Sequence, residues 1–296
     1  MLLKPGTLWD QVTRRTEKAI ERGAIHPIPT EYKFVEDGGV WFFVRILSSL
    51  ALKEEAKKKQ ERQYIEGREV NPFLPYEEDL FVSDISETHV ALLNKFNVVE
   101  HHLLIVTRKF EDQEMLLTLH DFEALLACMA EYEAFGFYNG GEAAGASQKH
   151  KHLQIVPLPL APEGPGIPVE PLLDRAEFDG DLLTVTGFPF RHLFARIKTG
   201  SVLTPQEAFD LYTEMLLRIG IKTAAGSEPD RQSSPYCLLV TRSWMLLVPR
   251  SQEFFDSVSI NSLGFAGALL VRDREQLNLI EKTGPMEALR RVSLPL

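Results

Sequence analysis

The sequence predicts an α+β protein, an antiparallel sheet with helices packed on it. Three observations lead there: a succession of short β-type apolar runs spaced like a meander, a later pair spaced like a hairpin, and capped amphipathic segments between them. With 296 residues and 44% hydrophobic content, the chain can bury a full core as one large domain or two closely packed ones.

The opening helix is expected from Thr7 to Arg22, with Leu8, Val12 and Ile20 near one face and Gly23 placed to end it. Val40 to Leu47 is dense in aromatic and β-branched residues, which predicts a strand. The prolines of Asn71-Pro72-Phe73-Leu74-Pro75-Tyr76 forbid regular pairing and mark an ordered loop. Leu80 to Ile85, His89 to Leu93 and His102 to Thr107 then form the meander. Thr118 with Asp121 resembles a capping box, and Phe122, Leu125, Leu126 and Met129 share a helical stripe, so a helix is expected to about Ala134, leading into a glycine-rich loop.

Pro157, Pro159, Pro162, Pro165, Pro168 and Pro171 make a segment that is neither helix nor central strand. It supplies the expected boundary between a catalytic part, residues 1–170, and a carboxyl part packed on it, residues 171–296. Phe190 to Ile197 reads as a strand, and Thr204-Pro205-Gln206-Glu207 starts a helix with cap, first-turn proline and reciprocal glutamate, closed by Gly220. Tyr236 to Thr241 and Met245 to Val248 read as a hairpin, and Asp273 to Lys282 as a helix stopped by Gly284-Pro285. Leu103-Leu104-Ile105-Val106-Thr107-Arg108 is echoed in Leu238-Leu239-Val240-Thr241-Arg242 and again in Leu246-Leu247-Val248-Pro249-Arg250. Either the fold is a degenerate duplication or such strings simply recur in β-rich chains.

Composition excludes several function classes. A net charge of −10 argues against a nucleic-acid surface. No apolar run approaches the length of a membrane span and the first residues lack a signal-peptide pattern, so a cytoplasmic location is expected, without a membrane partner. Cys128 and Cys237 are expected as buried thiols, one in a helix and one in a strand. Most of the mixed-charge run from Lys53 to Arg62 is expected to be a solvated helix face.

The chemistry concentrates in Gln148 to Pro157, QKHKHLQIVP. On an extended backbone, His150, His152 and Gln154 fall on one face, and Lys149, Lys151 and Leu153 on the other. The approach, Asn139-Gly140-Gly141-Glu142-Ala143-Ala144-Gly145-Ala146-Ser147, offers small residues whose amides can come close to an anion. If a nucleotide places its innermost phosphorus opposite His152, a neutral imidazole nitrogen can attack it and expel a weakly basic polyphosphate. One ring nitrogen attacks; the other must donate to a fixed acceptor, most simply a main-chain carbonyl. His150 contacts phosphate or orients its neighbour. Gln154 can only donate and accept hydrogen bonds, so it favours transfer to an anion over hydrolysis.

Bland readings stand beside these. Two histidines at i and i+2 also form a common metal pair, but no clustered partners accompany them, and no metal site is assigned. Glu142 is expected to point outward, and His101-His102 to be a turn feature. Asn94-Lys95-Phe96-Asn97 is either a polar turn or a nucleoside-binding set.

At these residues the sequence resembles the diadenosine tetraphosphate phosphorylase (ATP adenylyltransferase) group of the histidine-triad-like superfamily related to galactose-1-phosphate uridylyltransferase. The likeness extends over Asn71-Pro72-Phe73, Thr88-His89-Val90, Leu92 to Val98, His102 to Thr107, Phe137 to Gly141, Ala144 to Ser147, Pro235-Tyr236, Trp244-Met245, Pro249-Arg250-Ser251 and Asn261 to Gly267. It implies a histidine-triad-like sheet and cleavage of diadenosine polyphosphates by phosphate, giving ATP and ADP through an adenylylated histidine, together with the reverse transfer. Carried over by position, His152 is the nucleophile, Gln154 replaces the triad's last histidine, and Ser147 with Gln148 contacts phosphate. Asn139 and Gly145 belong to the phosphate loop, Asn94 and Lys95 to the nucleotide site, and Lys53 matches a family lysine near the phosphates. The partners implied are diadenosine tetraphosphate, ATP, ADP and phosphate. No covalent cofactor is expected, magnesium would enter only as the companion of the polyphosphate, and a monomer is consistent with the sequence. The rival readings are nucleotide hydrolysis or uridylyl transfer on the same scaffold, and a dinucleotide sensor without turnover.

Overall fold

The computed structural model describes residues 1–47, 71–176, 182, 184–197, 202–222 and 230–296. Lys53 and the mixed-charge run around it lie outside the described residues. In chain order the principal elements are α1 (Leu8–Glu21), β1 (Thr30–Asp37), β2 (Val40–Leu47), β3 (Phe81–Asp84), β4 (His89–Leu93), β5 (Leu103–Thr107), α2 (Leu119–Met129), β6 (Ala134–Gly140) and β7 (His152–Pro157). There follow α3 (Glu170–Leu173), β8 (Leu193–Arg196), α4 (Pro205–Ile219), β9 (Tyr236–Val240), β10 (Trp244–Pro249), β11 (Phe254–Phe255), β12 (Val258–Ser259), α5 (Ser262–Phe265), β13 (Ala268–Val271), α6 (Arg274–Thr283) and α7 (Pro285–Arg291).

An eight-stranded sheet in the order β3-β4-β5-β7-β6-β9-β10-β8 forms the centre, and its paired strands are antiparallel throughout. Because β6 pairs with β9, the sheet runs without a break from strands before the proline-rich segment to strands after it. The expected meander is β3-β4-β5 and the expected hairpin is β9-β10. The three LLV-type strings lie on β5, β9 and β10 of this one sheet.

Alternation along each strand sorts side chains between two cores. Phe135, Phe137, Val156, Cys237, Leu239, Leu246 and Val248 face a smaller sheet, β1-β2-β13, in which β13 runs parallel to β2. Leu153, Ile155, Tyr138, Leu238, Val240, Met245 and Leu247 face α1, α2 and α4, where they meet Val12, Phe122, Leu125 and Tyr212. The central strands are covered on both faces, which is why they read as unbroken apolar runs.

Helix ends follow the sequence closely. α4 has the Thr204–Glu207 capping box and Gly220 in the left-handed conformation at its end. α2 opens on the Thr118–Asp121 box, and Asp273 caps α6. Gly284-Pro285 both stops α6 and starts α7. Cys128 and Cys237 are buried free thiols in a helix and a strand.

Four expectations need correction. The buried stripe of α1 is Leu8, Val12, Thr16 and Ala19, whereas Ile20 is exposed, since a spacing of eight residues drifts off a helical face. The second helix stops at Met129, and Ala134–Gly140 is a strand, its Phe-Gly-Phe-Tyr core obeying a period of two. Pro171 sits in the first turn of α3, where a missing N–H costs nothing. The strand expected over Phe190–Ile197 is confined to Leu193–Arg196.

One buried ionic cluster ties α2 to the approach of β7. The Lys151 ammonium donates to Asp121 Oδ2 at 2.9 Å, Glu111 Oε2 at 3.1 Å and the Leu116 carbonyl at 3.0 Å. His89 Nε2 lies 3.1 Å from the other Asp121 oxygen. Burial would raise the Asp121 carboxyl, but the His89 hydrogen bond and the Lys151 charge outweigh it and hold the group well below the usual carboxylate range. Replacing Lys151 with Met strands this carboxylate and is expected to destabilise the fold by about 3 kcal/mol. Urea unfolding measures the loss, and adding Asp121→Asn should recover part of it, because the two positions share one interaction.

Candidate active site

His152 opens β7, and its ring is only 4% exposed. Its Nδ1 lies 2.8 Å from the carbonyl of His150, two residues earlier. A carbonyl can only accept, so the proton sits on Nδ1 and the lone pair on Nε2. Burial pushes the pKa down to about 4; the carbonyl opposes that drop and the neighbouring His150 adds to it. The imidazole is therefore neutral at ordinary pH. The side chain is buried beside Phe73, whose ring centroid is 5.4 Å away.

His150 precedes the strand rather than belonging to it, and its main chain forms a single bridge with Asp112. Its Nε2 lies 2.8 Å from the Thr107 carbonyl and 3.1 Å from that of Lys109, which makes it the protonated nitrogen. The side-chain amide of Asn71 donates to Nδ1 at 3.0 Å. Both ring nitrogens are thus engaged, and Phe73 and Phe110 pack against the ring. Of the two roles open to His150, contacting phosphate or orienting its neighbour, the geometry fits the second, exercised through its own carbonyl.

Gln154 shares the face of His152, opposite Leu104 on β5 and Phe137 on β6. Its Oε1 accepts a hydrogen bond from His102 Nε2 at 2.9 Å, and the Asn94 amide donates to His102 Nδ1 at 3.1 Å. This chain fixes which end of the Gln154 amide is the oxygen and leaves its NH2 as the group that can donate to a ligand. His102 immediately precedes β5, as its place before an apolar run predicted, and its ring stands against Gln154. Asn94 joins the site through that ring, while Lys95 pairs with Glu77 at 2.5 Å.

The glycine loop is ordered by its own turns. Gly141 N donates to the Asn139 carbonyl at 3.0 Å and Gly145 N to that of Glu142 at 2.8 Å, so these two amides are engaged inside the loop instead of standing free for an anion. Glycine is required at 145 for another reason: φ is +94° and an added Cβ would stand 2.7 Å from that of Asn261. Ser147 is exposed, Gln148 half-buried, and Glu142 exposed, as expected of a residue turned away from a phosphate. The buried Asn139 Oδ1 accepts from Ser262 Oγ at 2.7 Å and from its N–H at 3.0 Å, tying the loop to α5. Beneath the loop lies Arg250, 1% exposed, donating to the carbonyls of Ala144, Gln252, Ile260 and Val292.

Lys151 points into the opposite core, as alternation predicted, and takes no part in the site face. Among the described residues, no group of three or more His, Cys, Asp or Glu side chains is placed to hold a metal ion, and no helix is long and apolar enough to cross a membrane. Sequence reasoning on spacing alone missed Asn71, Phe73, Thr107, Gln113, Arg250 and Ser262. Their signal was weak because each lies outside the histidine motif in sequence.

Known proteins resemble this chain in sequence and in fold. Residues 1–175 match the family model for the Ap4A phosphorylase N-terminal domain, and residues 186–295 match that for the ATP adenylyltransferase C-terminal domain. Diadenosine 5',5'''-P1,P4-tetraphosphate phosphorylase 2 of Saccharomyces cerevisiae is 29% identical over 266 residues, covering 81% of this chain and 79% of the yeast protein. The crystal structure of yeast Ap4A phosphorylase Apa2 is similar with a TM-score of 0.78 and 25% identity, covering 100% of this chain and 96% of that one. The yeast enzyme in complex with Ap4A gives 0.76 and 24%, covering 100% and 99%. A family model spanning residues 1–175, more than half of the chain, and a fold shared along its whole length place this protein in the Ap4A phosphorylase family.

Proposed function

We infer that the protein cleaves diadenosine tetraphosphate with inorganic phosphate to ATP and ADP, and runs the reverse adenylyl transfer, through a covalent adenylyl group on His152. The observation that carries this reading is the 2.8 Å contact between His152 Nδ1 and the His150 carbonyl. It supplies what a nucleophilic imidazole needs: a neutral ring, one tautomer and one orientation.

In the first step Nε2 attacks the α-phosphorus of the dinucleotide, the P–N bond forms, and the bond to the bridging oxygen breaks, releasing ATP. The ring becomes cationic, and its Nδ1–H, already aimed at a carbonyl, gives a stronger hydrogen bond than before. In the second step phosphate attacks the same phosphorus, the P–N bond breaks, ADP leaves and neutral His152 returns. Both leaving groups are weakly basic, so positioning and charge stabilisation matter more than a proton donor. The NH2 of Gln154 supports that requirement. It can donate to a phosphoryl oxygen but has no proton to pass to or from water. Ser147 and Gln148 are assigned to holding the departing phosphates, Gly145 and Asn139 to shaping the loop that carries them, and Asn94 with His102 to keeping Gln154 oriented. The yeast enzyme solved with Ap4A supports the substrate class. Because His152 is 4% exposed, Phe73 and its neighbours must shift for the phosphorus to reach Nε2.

Three outcomes test the reading. Mixing the protein with diadenosine tetraphosphate in the absence of phosphate should add one AMP mass, acid-labile and localised to His152; His152→Ala should lose both the adduct and turnover, and intact dinucleotide with no adduct on the wild-type chain would identify a sensor. Adenylylation should stay flat through neutral pH and fall only near pH 4, not near the 6.5 of an unperturbed histidine. The same shift has a stability consequence: the unfolded chain takes up the proton first, so the contribution of neutral His152 is lost as pH falls from about 6.5 toward about 4. Gln154→His should raise the fraction of adenylyl groups captured by water relative to phosphate, and an unchanged product ratio would remove the amide from the argument.

A further inference from the structure

We propose that Gln113 is a positioning residue for the nucleophile: its side-chain amide is inserted between β6 and β7 and sets the main chain at His152. This rests on His152 being the adenylylated group.

Continuing the β6–β7 register two residues beyond Phe137↔Gln154 sets Asn139 opposite His152, where a regular ladder would bond the two main chains directly. They do not bond directly. The His152 N–H donates to Gln113 Oε1 at 2.8 Å, and Gln113 Nε2 donates to the Asn139 carbonyl at 2.9 Å and to the His152 carbonyl at 3.2 Å. One primary amide therefore relays a ladder bond that the strands have stopped making. The residues before His152 change partner at this point. Lys151 N donates to the Glu111 carbonyl and Gln113 N to the Lys149 carbonyl, both at 2.7 Å, so residues 111–113 run beside residues 149–151 and bring Gln113 to the start of β7.

The wedge is itself fixed. Gln113 is 2% exposed, and Tyr138 Oη donates to its carbonyl at 2.5 Å. Three consequences follow from a gap one amide wide. The His150 carbonyl is free of the β6 ladder and can accept from the His152 ring. The glycine loop leaves β6 on its own course at Gly140. And the His152 backbone is gripped on both edges, by β5 through the Val106 register and by Gln113 on the other side. A hydrocarbon of the same length at this position would leave the His152 N–H buried without a partner, take from the Asn139 carbonyl one of its two donors, and let the nucleophile drift.

The test uses the full-length protein, diadenosine tetraphosphate and intact-mass time courses of the AMP adduct. Gln113→Met should slow adenylylation by about 100-fold while KM stays within about threefold, since the residue is assigned no contact with nucleotide. Gln113→Glu should behave as a proton-dependent rescue. A neutral carboxyl can accept from His152 N–H and donate to the Asn139 carbonyl, and burial favours the neutral form, so this variant should be most active at pH 6 and lose adenylylation as pH rises, a limb absent from the wild type. If Gln113→Met does not fold, the pH profile of Gln113→Glu carries the test. A folded Met variant with the wild-type adenylylation rate, a KM raised in proportion to the loss, or a Glu variant that follows the wild-type pH profile overturns the proposal. Failure of the wild-type chain to form any adduct overturns instead the assignment of His152.

Discussion

A buried imidazole can serve as a nucleophile only when its proton has a fixed destination, and in this protein that destination is the carbonyl of His150. The interaction lies between residues two apart in sequence, but the conditions for it are set by the whole sheet. The carbonyl must be withdrawn from ordinary strand pairing, and His150 itself must not swing. The first condition is met because β7 pairs with β6 only from Gln154 onward. The second is met because Thr107, Lys109 and Asn71 hold the His150 ring on both nitrogens. Burial then keeps His152 neutral. The desolvation that would be a cost for a charged group becomes part of what makes the ring reactive.

The two faces of the chain around β7 divide their labour by period-two geometry. On one face His152 and Gln154 meet Phe73, His102 and Phe137; on the other Lys151 enters the ion cluster with Asp121 and Glu111. The cation adjacent to the nucleophile in sequence is therefore spent on anchoring and lends no charge to phosphate chemistry. Positive charge near the glycine loop comes instead from Arg250, whose partners are main-chain carbonyls and the Cys237 sulfur. A guanidinium satisfied by neutral acceptors keeps its full charge, whereas Lys151 is neutralised by carboxylates. This reconciles a net charge of −10 with a polyanionic substrate: the overall charge matters at long range, and a buried cation behind a loop matters locally.

Most of the sheet was legible because its evidence is local. Fully buried strands read as apolar runs, capped helices carry their caps, and the Thr204 box and Gly220 fixed α4 at both ends. β6 was hidden because an apolar helix flows into an aromatic strand across only Ala130 to Glu133, with no proline and no glycine to separate them. The shared face of His152 and Gln154 was also legible, since both stand in one motif, and a carbonyl acceptor for the His152 ring could be foreseen from imidazole chemistry. What surrounds them was not. Asn71, His102, Gln113 and Ser262 come from four separate stretches of the chain, and their contacts depend on which strands end where. A histidine at the mouth of a strand looks like a turn residue until the partner strand is known. The glycine amides, expected to cradle phosphate, turn out to shape the loop, because a sequence of small residues states that close approach is allowed but not what approaches.

The substitution of a carboxamide at position 154 is best understood through the residues behind it. A glutamine free to rotate would present oxygen and nitrogen to the phosphorus with equal ease, and its oxygen would orient an incoming water as readily as its NH2 would steady a phosphoryl group. His102 removes that freedom by donating to Oε1, and Asn94 removes the freedom of His102 in turn by donating to Nδ1. With the proton positions settled along the chain, the Gln154 amide turns its NH2, not its oxygen, toward the His152 face. In the proposed mechanism such a group favours an anion as the second substrate over water that needs a base. The constraint that selects the acceptor is thus the same kind that activates the nucleophile: a ring or an amide whose hydrogen-bonding identity has been fixed from behind.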